Sequence, residues 1–131
     1  MKEKIFNLKE ASSLLPLLKK LLGKAHAVWE RLMEMQSEIQ KVSENAQYNS
    51  GSPMGTDYLR EILNLQEILL AISKRGVILK DLEAGLCDFP YEHDGRIVYL
   101  CWKLGEDKIR WWHEISDGFA GRQSLDDSTE S

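Results

Sequence analysis

The pattern of the chain predicts an α+β fold, a long antiparallel helical hairpin packed on a three-stranded antiparallel β-meander. Three observations carry that expectation. Apolar residues recur at alternating steps of three and four from Leu18 to Ala46, and again from Tyr58 to Ile72. After Leu86 the apolar period falls to two, around the turn pair Asp94-Gly95.

Asn7 with Glu10 three residues on matches a capping box, so a first helical segment should run from Leu8 to Ser13. Pro16 has no amide donor and should kink or restart the helix, with Ser13 as a cap for the restart. Leu18, Leu21, Ala25, Val28, Leu32, Met35, Ile39, Val42 and Ala46 then form a heptad-like seam. Leu15, Leu22 and Trp29 widen its first half, whereas Gln36 and Ser43 stand at the matching later positions. The first half should therefore be packed by more protein than the second.

Residues 48–55 read as a loop, with Thr56 as the N-cap of the next helix. Tyr58, Ile62, Leu65, Leu69 and Ile72 form its seam, flanked by Leu59, Leu63 and Leu70. The helix should stop or distort near Gly76; the alternative continues it to Gly85. Two helices cannot bury faces this wide by themselves. The C-terminal third, a second copy of the chain, or both must cover them.

In the meander, the Asp94-Gly95 turn places Phe89 opposite Leu100, Asp88 opposite Cys101 and Tyr91 opposite Val98. A four-residue loop over 104–107 would then pair Leu100 with Trp111 and Cys101 with Arg110. Alternation puts Cys87, Phe89, Tyr91, Val98, Leu100, Trp102, Ile109, Trp111 and His113 on the core face. Asp88, Pro90, Glu92, Ile97, Tyr99, Cys101, Arg110, Trp112 and Glu114 fall on the other. A three-residue loop would swap the faces of the third strand, burying Arg110 and Glu114, and is disfavoured. The two cysteines point to opposite faces and form no disulfide. Residues 1–123 should make one domain, with the helical hairpin at 8–75 and the meander and C-terminal segment at 86–123. Residues 124–131 are polar and acidic and read as a disordered tail.

These segments resemble a small prokaryotic family catalogued as a domain of unknown function. The matching residues are Leu8-x-Glu10-Ala11 with Leu14-Leu15-Pro16, then Lys80-Asp81-Leu82, Gly85-Leu86 and Asp88-Phe89-Pro90. Gly95-Arg96, Leu100-Cys101-Trp102-Lys103-Leu104-Gly105-Glu106, Trp112-His113-Glu114 and Gly118-Phe119-Ala120-Gly121-Arg122 continue the match. The resemblance implies a stand-alone domain of this size and supplies no reaction.

Composition narrows the function. The 131 residues are 43% hydrophobic and 29% charged, an ordinary globular balance, and the net charge of −4 disfavours nucleic-acid binding. Lys2, Lys4, Lys9, Lys19, Lys20 and Lys24 lie at helical spacing among leucines and read as a solvated helix face. Neither a signal peptide nor a membrane span is visible, so a cytoplasmic protein with reduced thiols is expected.

Residues 85–123 hold three of the four tryptophans and both cysteines. The candidate ligand-binding residues are Asp88, Arg110, His113, Glu114 and Arg122. Asp88 and Arg110 read as a cross-strand ion pair or as the lining of a polar site. His113-Glu114 opens a zinc-protease motif but lacks its second histidine, since Asp117 stands there. A looser divalent-metal site would use His113, Asp117 and Asp81, or Asp88 in its place. The other reading makes His113 a histidine at the core edge. Cys101 has no histidine on its face in this register and reads as structural rather than nucleophilic. Arg122, held between two glycines and Phe119, either binds an anion or pairs with Asp117 or Glu114. Trp112 with Tyr99 is left as the aromatic pair for a partner or flat ligand. The leading functional expectation is a non-enzymatic module that self-associates as a homodimer through its helices or binds a protein partner. The alternative is a small-molecule or metal-binding enzyme built on the C-terminal strands. No cofactor is expected beyond a possible divalent metal.

Overall fold

The computed structural model of the protein describes residues 4–45 and 53–125. Among these residues it is an α+β fold of three α-helices and a five-stranded antiparallel sheet. The side chains of Ile39 and Val42, Ala46, most of the 48–55 loop and residues 126–131 lie outside what is described.

Helix α1, Leu8–Ser13, opens with the capping box: Glu10 N donates to Asn7 Oδ1 at 2.7 Å and Asn7 N donates to Glu10 Oε1 at 2.9 Å. Helix α2, Leu15–Asn45, restarts at once and carries Pro16 in its first turn, where no intrahelical donor is needed. Ser13 does not cap this restart. Its hydroxyl donates back to Glu10 O at 2.6 Å, and Leu14 O accepts the first bond of α2 from Leu18 N at 2.9 Å. Helix α3, Pro53–Lys74, starts earlier than expected, with Pro53 at its first position and Thr56 already inside it.

Gly76 ends the helical layer in a left-handed conformation, φ 88°, and the chain turns into strand β1, Ile78–Asp81. The continuation to Gly85 is thereby excluded. Strands β2, Leu86–His93, and β3, Arg96–Lys103, form the expected hairpin, with positive φ at both Asp94 and Gly95. Asp88 pairs with Cys101, Phe89 with Leu100 and Tyr91 with Val98, as the sequence predicts.

The next strand departs from expectation. Strand β4, Trp111–His113, pairs Leu100 with Trp112 and Cys101 with Trp111, one residue out of the expected register. The connection spans 104–110 and has hydrogen bonds of its own. Glu106 N donates to Lys103 O at 3.0 Å, Lys103 N donates to Glu106 Oε1 at 2.8 Å and Trp102 Nε1 donates to Glu106 O at 3.0 Å. Ile109 is pulled into the core from this loop. Strand β5, Gln123–Ser124, then pairs with β4. The meander has five strands in sequence order instead of three.

One sheet face packs on Leu15, Leu18 and Leu22 of α2 and Ile72 of α3 through Phe89, Val98, Leu100, Trp102 and Trp112. Farther along α2, Ala25, Val28 and Leu32 pack against Ile68 of α3. The first half of α2 thus lies on sheet and helix, and the following turns on α3. His26 Nε2 donates to Leu82 O at 2.5 Å, tying α2 to the turn between β1 and β2.

Gly85 has φ 68°, and a Cβ there would stand 2.6 Å from Leu104 Cβ. Gly95 has φ 77° with open space around it. Gly85→Ala should therefore cost about 2 kcal/mol or more, and Gly95→Ala about 1 kcal/mol, measured by urea denaturation. Equal losses would show that contact with Leu104 adds nothing.

Candidate functional site

The register of β4 assembles a polar cluster on the sheet face away from the helices. Asp88 on β2 lies opposite Cys101 on β3, and β4 presents His113 to both. All three are buried, at 1%, 0% and 2% exposure. His113 Nε2 lies 3.1 Å from both Asp88 carboxylate oxygens. Its Nδ1 donates to Glu114 O at 2.7 Å, since a carbonyl can only accept. The ring is thus oriented from two sides.

Arg122 covers the cysteine side. Its Nε donates to Cys101 Sγ at 3.4 Å, and its two Nη groups donate to Glu106 at 2.7 and 2.9 Å. The guanidinium lies 4.3 Å from the Phe119 ring centre and 5.6 Å from that of Trp111. Phe119–Gly121 forms a 3-10 turn that sets Arg122 in place. On the other side, the Tyr99 ring meets His113 edge-on at 5.6 Å, with the Lys80 ammonium over Tyr99. Among the described residues no buried side-chain nitrogen or oxygen lacks a partner.

Burial pushes the Cys101 thiol up to about 11, Arg122 pulling it down and Asp88 pushing it up. Burial likewise pushes Cys87 up to about 12. Both are thiols at neutral pH, which disfavours nucleophilic catalysis. For Glu106, burial raises the carboxyl, but the Arg122 fork and the Lys103 amide outweigh it, so it titrates below the ordinary carboxylate range.

Of the residues singled out in the sequence, Asp88 and His113 meet directly and Arg122 reaches them through Cys101. Arg110 does not join them. It is exposed and pairs with Asp107 at 3.2 Å, because the longer loop carries it off the strand. Glu114 pairs with Arg96 at 2.5 Å on the rim. The set His113, Asp117 and Asp81 is not assembled either. Asp117 is exposed and packs on Gly121, and exposed Asp81 accepts from Ala84 N at 3.3 Å. Among the described residues, Asp88, Cys101 and His113 are the only group of three metal-capable side chains brought together. Trp112 is core, leaving Trp111 half-buried under Arg122. Cys101 beside His113, and Glu106 as the partner of Arg122, were not apparent from the sequence. The parity of the β3–β4 loop was the missing signal.

A second surface lies on α3. Leu59, Leu63 and Leu70 are 58%, 55% and 53% exposed along one stripe. Arg60 and Glu67, two turns apart and both exposed, border the same side of it. A shallow groove lined by Arg60, Leu63, Gln66, Glu67 and Leu70 runs along this face.

An α+β chain with an enclosed Asp–His–Cys cluster under its meander and an apolar stripe on its last helix is thus defined. It belongs to the family of the uncharacterised conserved protein DUF2203, whose model matches residues 4–125. No curated protein and no solved structure is significantly similar to it. Among the described residues, no helix is long and apolar enough to cross a membrane.

Two outcomes follow from the electrostatics. Glu106 has a folded pKa below its unfolded value, so its contribution is present above the unfolded value and lost as pH falls through the folded one. Glu106→Gln should cost about 1–2 kcal/mol at neutral pH and flatten the fall in urea midpoint between about pH 5 and about pH 3. Both cysteines should resist a thiol-specific disulfide reagent in the native protein and react once urea unfolds it. Rapid native reaction of Cys101 would restore the nucleophile reading.

Proposed function

We propose that the protein is a non-enzymatic cytoplasmic interaction module that self-associates through its helical hairpin, as a two-fold dimer built on α3. The exposed Leu59, Leu63 and Leu70 stripe carries this reading. These leucines flank a seam of which Tyr58, Ile62 and Leu65, with the neighbouring Ile68, are already engaged with α2. The stripe widens that apolar face beyond what α2 covers, and unpartnered apolar faces of this kind are typical of association surfaces.

A second copy is the occupant that the charges favour. A two-fold axis near the middle of the stripe sets two α3 helices antiparallel, with Leu59 facing the other copy's Leu70. Positions on the same flank then face each other, so Arg60 meets Glu67 twice, once from each copy. Opposite charges at these positions complement each other under the symmetry. The protonated thiol and the enclosure of the polar cluster support a role without covalent catalysis. Free, buried cysteines fit a reducing compartment.

The test is sedimentation velocity of the wild type and Leu63→Lys at about 10–50 µM. Wild type should sediment as a dimer. Because Leu63 occurs twice in the interface, the variant should weaken association by at least about 100-fold with unchanged far-UV circular dichroism. A wild type that stays monomeric throughout this range refutes the dimer.

A further inference from the structure

We propose that Asp88, Cys101 and His113 form a zinc site, with Arg122 as the group that seats the thiolate. The inference is independent of the dimer. Three donor atoms of different type, a carboxylate oxygen, a sulfur and an imidazole nitrogen, lie within 4.8 Å of one another in the protein interior. Tetrahedral zinc ligands at their usual bond lengths are separated by roughly 3.3–3.8 Å, so the side chains need only small rotamer shifts to close on an ion.

The second contacts around the cluster match those of a metal centre. His113 gives its Nδ1 proton to the Glu114 carbonyl, which leaves Nε2 as the inward-facing atom. A backbone carbonyl on the far nitrogen is the common device that fixes the tautomer and angle of a metal-bound histidine. Nε2 lies 3.1 Å from each Asp88 oxygen, so a proton sits between these groups where the ion would go. Arg122 Nε reaches Cys101 Sγ at 3.4 Å and would donate to the metal-bound thiolate, while its Nη groups stay on Glu106.

Charge selects the ion. A carboxylate, a thiolate and a neutral imidazole together carry two negative charges, which a divalent cation cancels. Arg122 and Glu106 cancel each other. A buried site balanced in this way avoids the cost of an unpaired interior charge. The sulfur and nitrogen donors favour zinc over magnesium or calcium, which prefer all-oxygen shells. Binding releases the thiol proton and the proton held between Asp88 and His113, so two protons leave as one Zn²⁺ enters. Three protein ligands leave the fourth position to a non-protein ligand.

The test uses the purified full chain, stripped with chelator and titrated with Co²⁺ and then Zn²⁺. Wild type should develop a thiolate-to-cobalt charge-transfer band and tetrahedral visible bands, both abolished by Zn²⁺, and Zn²⁺ should raise the thermal midpoint. Cys101→Ser should lose the charge-transfer band and weaken Zn²⁺ binding by at least about 100-fold. Cys87→Ala removes the thiol on the opposite face and should keep the band. A wild type without a thiolate–cobalt band overturns the proposal without recourse to any variant. So does a band that survives Cys101→Ser or disappears in Cys87→Ala.

Discussion

Leu100 stands opposite Trp112 and Cys101 opposite Trp111 across β3 and β4, and this alignment governs both faces of the sheet. Side chains alternate with a period of two, so a shift of one residue would exchange every member of β4 between core and outer face. In the observed alignment Trp112 enters the core, with its ring 4.5 Å from that of His93, and His113 turns to Asp88. Shifted, His113 would face Leu100 and Phe89 without its carboxylate, while Asp88 would be buried without the imidazole. The shift would only exchange Trp112 for Trp111 in the core, whereas leaving a buried polar group unpaired costs a few kcal/mol, so the Asp88–His113 pair favours the observed alignment.

The C-terminal segment depends on that alignment. With Trp111 on the outer face, Arg122 has a second ring beside that of Phe119, and the 104–110 loop brings Glu106 to its fork. Strand β5 then secures the segment along β4, and Leu125 N donates to Arg110 O at 2.9 Å. Arg122 thereby joins the chain before β4 to the chain after it and closes the outer face over the cysteine. Its raised pKa reflects the same contacts: burial alone would lower it, and Glu106 and Cys101 more than offset that effect.

The helical layer is graded along its length. Near the sheet, α2 buries Leu15, Leu18 and Leu22 against strands and α3 together; beyond Leu32 the partly buried Met35 and exposed Gln36 mark the end of that support. Helix α3 has more apolar surface than α2 can cover, and the excess lies in Leu59, Leu63 and Leu70. The chain thus keeps its polar cluster enclosed in the sheet and its apolar surplus on a helix.

Local chemistry made much of the fold legible. The Asn7–Glu10 box, the restart at Pro16, the stop at Gly76 and the Asp94-Gly95 turn are each determined by a few neighbouring residues, and the structure has all four. The β2–β3 register followed because a two-residue turn leaves a single alignment. Strands β1 and β5 were not legible, because short edge strands are stabilised by the neighbour they join and not by a pattern of their own. Asp88, His113 and Arg122 could be picked out by residue type and their crowding in the C-terminal run, but not by mutual position. The contents of the site were decided by how many residues the 104–110 loop takes up, and that depends on Trp102, Glu106 and Ile109 finding partners in the folded protein. The sequence by itself determined the inventory of helices, the main hairpin and the residues able to do chemistry. Tertiary packing alone decided that Trp112 is core, that Arg110 stands apart, and that Cys101 shares a buried site with Asp88 and His113, because a one-residue choice of register is set by long-range burial and not by local preference.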